Sequence, residues 1–270
     1  MYKIGLIGAE NSHAEHFAVA FNLQKLYDDS RVTHIFGDDQ PEKACALSKE
    51  FSLINCMGLD ELFDACDAVV IAYRKGSLHH AAAMRALAAG KPAFIDKPFT
   101  TDYRHAVEIC EYAKEHDLLI CGGTNLKGLH EINQIKAAIK PGSTVVISLS
   151  ADAASEYDGY HFYGSHSAEL CIELLGTDYR SCTAVKNNDT VIVTITYDDA
   201  QCVFINAPNT DGLNITLYNK GEITRFDIPL DYQSVGSTEL INMLNTKTPP
   251  RDYSHYTAAV MMVLEIMEQI

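Results

Sequence analysis

Four residues suited to ligand binding or proton transfer each follow an apolar stretch of the sequence. They are Gly8, Asp38, Tyr73 and Lys97. Glycine lets a backbone approach a ligand closely, a carboxylate accepts hydrogen bonds from hydroxyl groups, and a desolvated lysine can exchange its proton near neutrality. If the apolar stretches are parallel strands, these residues lie at the carboxyl ends, where such sheets bind ligands. The sequence therefore predicts one site assembled from four strand ends.

The opening segment, residues 3–17, indicates the type of ligand. An apolar strand at residues 4–7 turns at Gly8 and enters a helix with apolar positions at helical spacing. A strand, a glycine and a helix start are the parts of a dinucleotide-binding turn, whose full fingerprint is G-x-G-x-x-G. In this chain Glu10 and His13 stand at the second and third glycine positions. The architecture is that of a dinucleotide site, but two of its glycines are replaced.

Glu10, Asn11 and Ser12 are predicted to line the phosphate-binding turn. If the Glu10 carboxylate points at the phosphates, each charge pair costs about 4 kcal/mol at ~4 Å and an effective dielectric of ~20. Ser12 and Glu15 have the spacing of a capping box, whose hydrogen bonds use N–H groups that a pyrophosphate would otherwise claim. Both features predict weak cofactor binding.

Asp38 follows the second predicted strand, at the place where a dinucleotide fold hydrogen-bonds the ribose hydroxyls. Asp39 stands beside it and no arginine follows, so a 2′-phosphate would be repelled and NAD is favoured over NADP. Tyr73, at the end of a later strand, is also predicted to contact the cofactor. The alternative for the Asp-Asp pair is ordinary turn chemistry.

The remaining pattern predicts two domains in an α/β chain. Strands and helices alternate through residue 122, which indicates a Rossmann-type parallel sheet with helices on both faces. Residues 123–270 instead show strands joined by tight turns, so a C-terminal α+β domain with an open, largely antiparallel sheet is expected to serve substrate binding and dimerisation. The last helix, near residues 253–270, must bury its apolar stripe against a sheet or the first domain.

Composition disfavours several classes of partner. The 270 residues carry a formal net charge of −15 at pH 7, which argues against nucleic acid. No apolar run approaches the roughly 18–20 residues that span a bilayer, and the N-terminus shows no signal-peptide pattern. Eight cysteines are scattered without a C-x-x-C pair, which is typical of reduced thiols. We expect a cytoplasmic protein with a small-molecule substrate and neither a nucleic-acid nor a membrane partner.

Four segments carry a family resemblance. They are KIGLIGAENSHA at the start, Leu78-His79 ahead of ALAAGKPAFIDKP, GGTNLKGLH at residues 122–130, and GSHSAEL at residues 164–170. Together these segments resemble the Gfo/Idh/MocA oxidoreductases. The resemblance implies a nucleotide domain, a second domain that covers the active site, and hydride transfer between a nicotinamide and a sugar, polyol or related carbonyl compound.

The resemblance also implies roles for particular residues. Lys97 matches the family's active-site lysine, and Asp96 takes the place of the glutamate that precedes it. Both are also predicted to contact the cofactor. His166 matches the histidine of a G-x-H-x-x-D segment, and Glu169 takes the place of its aspartate. His79 matches a residue on the nicotinamide side, although a plain helix-terminal histidine is an equal alternative.

Other roles are open at the level of sequence. Glu169 lies one helical turn from His166, so it either orients that ring or is a solvated helix charge. Tyr160, His161 and Tyr163 form either a sugar-stacking wall or a protein interface. No metal site is expected, because a hydrolytic set of His161, His166 and Glu169 lacks good ligand spacing.

Two functional hypotheses follow. The first is an NAD(P)-dependent oxidoreductase that uses Lys97 and His166 and forms a homodimer or higher homo-oligomer through its open sheet. The second is a non-catalytic protein that binds a small ligand or a partner on the same scaffold, with a degraded cofactor site. Three departures from the family motivate the second: Glu10 in place of glycine, Phe162 where dehydrogenases of the family often carry aspartate, and a short second domain.

Overall fold

The computed structural model describes all 270 residues, which divide into two compact units. The first unit comprises residues 1–100, 104–123 and 233–252. The second comprises residues 101–103, 124–232 and 253–270. None of the helices is both long enough and apolar enough to cross a membrane.

Six parallel strands form the sheet of the first unit. They are β1 (Tyr2–Ile7), β2 (Ser30–Phe36), β3 (Ile54–Asn55), β4 (Ala68–Ile71), β5 (Ala93–Asp96) and β6 (Ile120–Gly123). Their order across the sheet is β3-β2-β1-β4-β5-β6. Strands β2 and β3 therefore follow β1 on one side, whereas β4 to β6 lie on its other side. This change of side creates a topological switch point at the carboxyl ends of β1 and β4.

Helices connect the strands of this sheet. They are α1 (Ser12–Ala18), which continues into a π-helical turn at Val19–Leu23, α2 (Pro41–Phe51), α3 (Leu59–Ala65), α4 (His79–Ala88) and α5 (Tyr103–Glu115). Every residue of β4 and β5 is buried. Central strands of a parallel sheet need apolar side chains on both faces, because helices cover both. The predicted Rossmann-type sheet is confirmed.

The second unit contains a mixed, mostly antiparallel sheet. Its elements are α6 (His130–Ala138), β7 (Ser143–Ser150), α7 (His161–Leu175), β8 (Ser181–Asn187), β9 (Thr190–Thr196), β10 (Ala200–Ala207), β11 (Leu213–Asn219) and β12 (Glu222–Ile228). The strand order is β12-β11-β7-β10-β9-β8. Only the β7–β10 pair is parallel. The α+β character predicted for this part of the chain is confirmed.

The strands after β8 do not form a simple meander, as the tight turns suggested. Strand β7 lies between β10 and β11. Its inward-facing residues Val145, Ile147 and Leu149 are all buried. A strand with a complete apolar row gains most at the centre of the sheet, where neighbours and helices cover it.

One later helix lies in a different unit from the sequence prediction. Helix α8 (Val235–Thr246) contributes Leu240 and Leu244 to the core of the first unit, although residues 123–270 were assigned to the second domain. Helix α9 (Ser254–Met267) belongs to the second unit and packs on α7. Just beyond α9, the Gln269 side chain accepts a hydrogen bond from the Ala184 N–H on β8 at 2.9 Å. The segment 233–252 therefore lies on the other side of the predicted division.

Candidate functional site

The carboxyl edge of the first sheet carries the residues that the sequence placed at strand ends. Gly8 follows β1, Asp38 follows β2 after one residue, and Tyr73 follows β4 after one residue. Asp96 is the last residue of β5, and Lys97 comes directly after it. Because β2, β1, β4 and β5 are neighbours in that order, these residues share one edge of the sheet.

The turn after β1 holds an anion of its own. Gly8 has φ +92°, and a Cβ there would lie 2.7 Å from the Tyr73 backbone nitrogen, so only glycine fits. The next two N–H groups, of Ala9 and Glu10, donate hydrogen bonds to the Asp39 carboxylate at 2.8 and 3.1 Å. Consecutive N–H groups that converge on a carboxylate form an anion-binding turn.

Glu10 takes part in this turn through its backbone. Its N–H donates to Asp39, and its carbonyl oxygen accepts a hydrogen bond from the Lys43 ammonium at 3.0 Å. The sequence drew attention to the Glu10 carboxylate, whereas the carboxylate that occupies the turn belongs to Asp39. The neighbouring residue Asp39 was noted only for its charge, since nothing local in the sequence shows where its side chain points.

The start of α1 also differs from the predicted capping box. Asn11, not Ser12, is the N-cap, and its side-chain oxygen accepts a hydrogen bond from the His13 N–H at 3.2 Å. Ser12 is the first residue of the helix and is exposed. The cap therefore uses one N–H group of the helix start and leaves the Ser12 side chain at the surface of this edge.

Tyr73 and Asp38 form a bridge between the ends of β4 and β2. The Tyr73 hydroxyl donates to Asp38 Oδ1 at 2.7 Å. Burial and this hydrogen bond both raise the pKa of Tyr73, so the phenol remains a donor. Gly8 lies beneath the ring, because a Cβ on it would approach Tyr73 Cδ1 to 2.9 Å. Asp38 itself is exposed and available to a hydroxyl-bearing ligand.

Asp96 is fully buried and tied to α1. Asn11 Nδ2 donates to it at 2.8 Å, and His13 Nδ1 lies 2.9 and 2.8 Å from its two oxygens. Burial raises the pKa of this carboxyl. The charges of His13, Lys97 and His79 and the His13 hydrogen bond lower it by more, so the net effect is a lowered pKa. Asp96 therefore fixes the start of α1 against β5 and does not lie on the exposed surface as a cofactor ligand. Sequence reasoning missed His13 as its partner.

We predict that Asp96 stabilises the fold above pH about 4 and loses this effect in acid. Its folded-state pKa is below the ordinary value of 3.8, so the contribution is present above that value and lost as the pH falls toward the folded pKa. The unfolding free energy of the wild type should exceed that of Asp96→Asn by about 1.5–3 kcal/mol at neutral pH, and the difference should shrink below pH about 3.8. Urea unfolding over a pH series measures this.

Asp60→Asn is the matched control for this series, because Asp60 is paired with Arg85 at the exposed surface. It should change the unfolding free energy by less than about 1 kcal/mol. A difference between wild type and Asp96→Asn that stays constant into acid would contradict the ionised role of Asp96.

His79 is fully buried and joins two strand ends. Its Nδ1 lies 2.7 Å from the Pro98 carbonyl oxygen and its Nε2 lies 2.9 Å from the Tyr73 carbonyl oxygen. Carbonyl oxygens only accept, so the ring donates a hydrogen bond to at least one of them. His79 thus orients the segment that contains Lys97, which is itself 3% exposed. The structure gives His79 a positioning role where the resemblance implied a place on the nicotinamide side.

A second cluster of polar side chains lies within the second unit. His166 Nδ1 is 2.6 Å from the Thr124 hydroxyl, and the Thr124 N–H donates to Glu169 Oε2 at 2.8 Å. The Lys127 ammonium donates to the same Glu169 oxygen at 2.7 Å and lies 5.2 Å from the centre of the Tyr256 ring. Glu169 therefore bonds Lys127 and Thr124, and Thr124 in turn bonds His166.

Sequence reasoning missed Thr124 and Lys127. Both lie in the segment GGTNLKGLH, which was quoted only for its family resemblance. A lysine among the apolar residues Leu126 and Leu129 was the available signal, because a buried lysine requires a buried carboxylate. Its partner Glu169 lies 42 residues further along the chain, beyond the reach of local pattern.

The aromatic stretch before His166 is helical rather than a loop. Helix α7 begins at His161, so His161, Tyr163 and His166 all lie on it. Tyr160 is 1% exposed, its ring packs against Gly164, and its hydroxyl donates to Asn206 Oδ1 at 2.6 Å. This core position contradicts the predicted substrate contact of Tyr160. His161 is buried and its pKa is lowered by burial, whereas Tyr163 is exposed.

Comparison with known proteins identifies the class. Residues 2–124 match the family GFO_IDH_MocA, described as "Oxidoreductase family, NAD-binding Rossmann fold". This match confirms the resemblance of residues 2–124 to the Gfo/Idh/MocA oxidoreductases. An uncharacterized oxidoreductase of Streptococcus pneumoniae is 27% identical over 144 residues, which are 53% of this chain and 37% of that protein. The match thus covers well under two thirds of the relative's length.

Solved structures extend the likeness to the whole chain at the level of fold. GenD2 from gentamicin A biosynthesis, in complex with NAD, has a TM-score of 0.85 at 14% identity and covers 99% of this chain and 93% of its own. UDP-N-acetylglucosamine 3-dehydrogenase GnnA from Acidithiobacillus ferrooxidans has a TM-score of 0.78 at 18% identity, covering 100% and 97%. At these identities the likeness establishes the two-domain fold.

The residues of the carboxyl edge fit a dinucleotide chemically. The turn after β1 binds an anion, as its contact with Asp39 demonstrates, and phosphate oxygens have the same need for N–H donors. Exposed Asp38 suits ribose hydroxyls, and exposed Ser12 adds a hydroxyl at the start of α1. The cofactor would therefore be held by the Ala9–Ser12 turn and Asp38.

Proposed function

We propose that this protein is an NAD(P)-dependent oxidoreductase that transfers hydride to or from a sugar, polyol or related carbonyl compound. The observation that carries the proposal is the buried Lys97, which directly follows β5 at the carboxyl edge of an NAD-binding Rossmann fold. A nicotinamide supplies the hydride chemistry when it is bound. The chain must supply a proton donor or acceptor for the substrate oxygen.

Lys97 is the proposed proton donor and acceptor. The charge of its ammonium helps to lower the pKa of Asp96, so the negative charge of Asp96 partly offsets the positive charge of Lys97. His79 contacts the Pro98 carbonyl oxygen just after Lys97, and Asn11 bonds the Asp96 side chain just before it, both through buried hydrogen bonds. A donor held by packed neighbours is positioned without a cost in side-chain ordering at the moment of reaction.

His166 is proposed as a polar group of the second unit that takes part in substrate binding or proton transfer. A Thr124 hydroxyl that donates to Nδ1 leaves the proton of a neutral His166 ring on Nε2. Glu169 accepts the Thr124 N–H bond, and Lys127 bonds Glu169. Both are therefore positioning residues for Thr124 and, through it, for His166. Exposed Tyr163, whose ring stacks on His166 with centres 5.5 Å apart, is the proposed sugar contact.

We infer a sugar or polyol as the substrate and NAD as the cofactor. One structural relative is named as a dehydrogenase of a nucleotide sugar, which supports a sugar or polyol. Exposed Asp38 places a carboxylate at the ribose end, where it would repel a 2′-phosphate, so we favour NAD over NADP. Eight free cysteines, most of them buried, support a cytoplasmic location.

The test is a calorimetric titration with NAD, NADH, NADP and NADPH, followed by nicotinamide absorbance assays on a panel of sugars and polyols. We expect binding of NAD or NADH and turnover of at least one compound in the panel. Absence of binding by all four nucleotides, in protein shown to be folded, would reject the oxidoreductase and favour the non-catalytic alternative.

We also propose that the protein is a homodimer or higher homo-oligomer built on the open face of the second sheet. Val185, Ile192 and Ile205 are exposed and lie directly opposite one another on β8, β9 and β10. Ile205→Glu should convert the oligomer to a monomer in sedimentation velocity, because it places an unpaired charge within an apolar row. Ile54→Glu, at a site in the first unit that is more exposed than Ile205, should leave the mass unchanged. A wild type of monomeric mass would refute the proposal.

A further inference from the structure

The anion held by the turn after β1 belongs to the protein itself. Asp39 Oδ1 accepts from the Ala9 N–H at 2.8 Å and Asp39 Oδ2 accepts from the Glu10 N–H at 3.1 Å, so each carboxylate oxygen is used once. Hydrogen bonds to a charged acceptor are about twice as strong as neutral ones. A turn occupied in this way offers fewer free donors to any other anion.

We propose that Asp39 is a built-in competitor for the cofactor's pyrophosphate and must leave the Ala9 and Glu10 N–H groups when the dinucleotide binds. This inference rests on the proposed function and deepens it, because it assigns a regulatory contact to the same site. The weak binding that the sequence attributed to the Glu10 side chain is attributed here to Asp39, thirty residues away along the chain.

Two hydrogen bonds hold the segments on either side of the Asp39 carboxylate. The Lys43 ammonium bonds the Glu10 carbonyl oxygen at 3.0 Å, which fixes the turn from the side of α2. The Tyr73 hydroxyl bonds Asp38 at 2.7 Å, which fixes the residue before Asp39 from the side of β4. Asp39 therefore sits between two anchored segments, and its carboxylate stays at the turn in the free protein.

The energetic consequence follows from competition between two states. If only a fraction of the molecules has the turn open, the apparent dissociation constant equals the intrinsic one divided by that fraction. Removing the Asp39 carboxylate opens the turn in every molecule and removes a negative charge beside the phosphates. Affinity for a pyrophosphate should therefore rise when Asp39 is replaced.

Asp38 and Asp39 should respond to replacement in opposite directions. Asp38 is exposed and is proposed to accept hydrogen bonds from the ribose, so Asp38→Asn should weaken binding. Asp39 blocks the phosphate turn, so Asp39→Ala should strengthen binding. A general effect of net charge would change both affinities in the same direction, which makes the pair of variants a specific test.

The experiment is calorimetric titration of the 270-residue protein with ADP, which carries the ribose and pyrophosphate without the nicotinamide. We expect Asp39→Ala to bind ADP about tenfold or more tightly than the wild type, with Asp39→Asn in between. Asp67→Asn is the matched control, because its carboxylate accepts the Lys3 N–H at the opposite end of β1 and its loss changes the net charge equally. It should bind ADP as the wild type does.

A second measurement reports on the two N–H groups of the turn directly. The amide resonances of Ala9 and Glu10 should shift on addition of ADP in Asp39→Ala, and these shifts should appear at lower ADP concentration than in the wild type. Equal or weaker ADP binding by folded Asp39→Ala would overturn the inference. ADP tightening without turnover of any panel compound would support the competitor role of Asp39 while the proposed reaction failed, so the two failures are distinguishable.

Discussion

Replacing Lys97 with methionine should lower kcat by about two to four orders of magnitude on the substrate that the panel identifies. A positioned general acid or base contributes a factor of this size, and methionine keeps the apolar length of the side chain while it removes the proton. Affinity for NADH should fall by much less than kcat, because the lost interaction serves the reacting oxygen. Steady-state kinetics and NADH titration measure the two effects separately.

Lys91→Met is the matched control for Lys97→Met. Lys91 lies two residues before β5, at the amino end of the strand whose carboxyl end precedes Lys97. The same substitution there should leave kcat unchanged within error. Lys97→Arg adds a second arm, because it keeps the charge beside Asp96 but cannot exchange a proton near neutrality. Full turnover by Lys97→Met would refute the role of Lys97 as proton donor and acceptor. Full turnover by Lys97→Arg would show that only its positive charge is needed.

The sequence predicted those parts of the fold that depend on local pattern. The glycine turn after β1 and the parallel sheet both follow from apolar periodicity and turn residues that lie close together in the chain. These features were predictable because a strand buried on both faces, or a helix with one apolar stripe, requires a particular order of residue types.

The elements that were missed have weak local patterns. Strand β8 reads SCTAVKN and is mostly exposed, so it lacks the alternation of a half-buried strand. Helix α8 reads VGSTELINMLNT, in which Gly236 and Ser237 interrupt the helical signal although both are buried. Helix α7 begins within the aromatic stretch, whose residues resemble a loop until Gly164 is seen to pack on the Tyr160 ring.

The sequence predicted which residues of the site lie at strand ends, but not the hydrogen bonds between their side chains and the neighbouring turns. Gly8, Asp38, Tyr73 and Lys97 do follow neighbouring strands, as the order of the sheet requires. The hydrogen bond from Ala9 to Asp39 could not be foreseen, since it depends on side-chain directions in two separate turns. Pairings of this kind are tertiary, and the sequence alone leaves the choice between Asp38 and Asp39 open.

Replacing Lys127 with methionine should be the most destabilising change in the second unit. The Lys127 and Glu169 side chains are 1% and 3% exposed, and their charged atoms lie 2.7 Å apart. Removing one member of a buried pair leaves an uncompensated charge and costs about 3–5 kcal/mol of unfolding free energy. Urea unfolding followed by far-ultraviolet circular dichroism measures the loss.

The surface pair Lys136–Glu173 provides the control for the buried pair. Its atoms lie 2.9 Å apart, but Lys136 is 51% exposed, so Lys136→Met should cost less than about 1 kcal/mol. The double variant Lys127→Met, Glu169→Gln removes both buried charges and should recover part of the loss, because a neutral amide still accepts the Thr124 N–H bond. If Lys127→Met cost no more than Lys136→Met, the Lys127–Glu169 pair would not be a buried ion pair in solution. The proposed role of the Lys127–Glu169 pair in positioning Thr124 and His166 would then also be refuted.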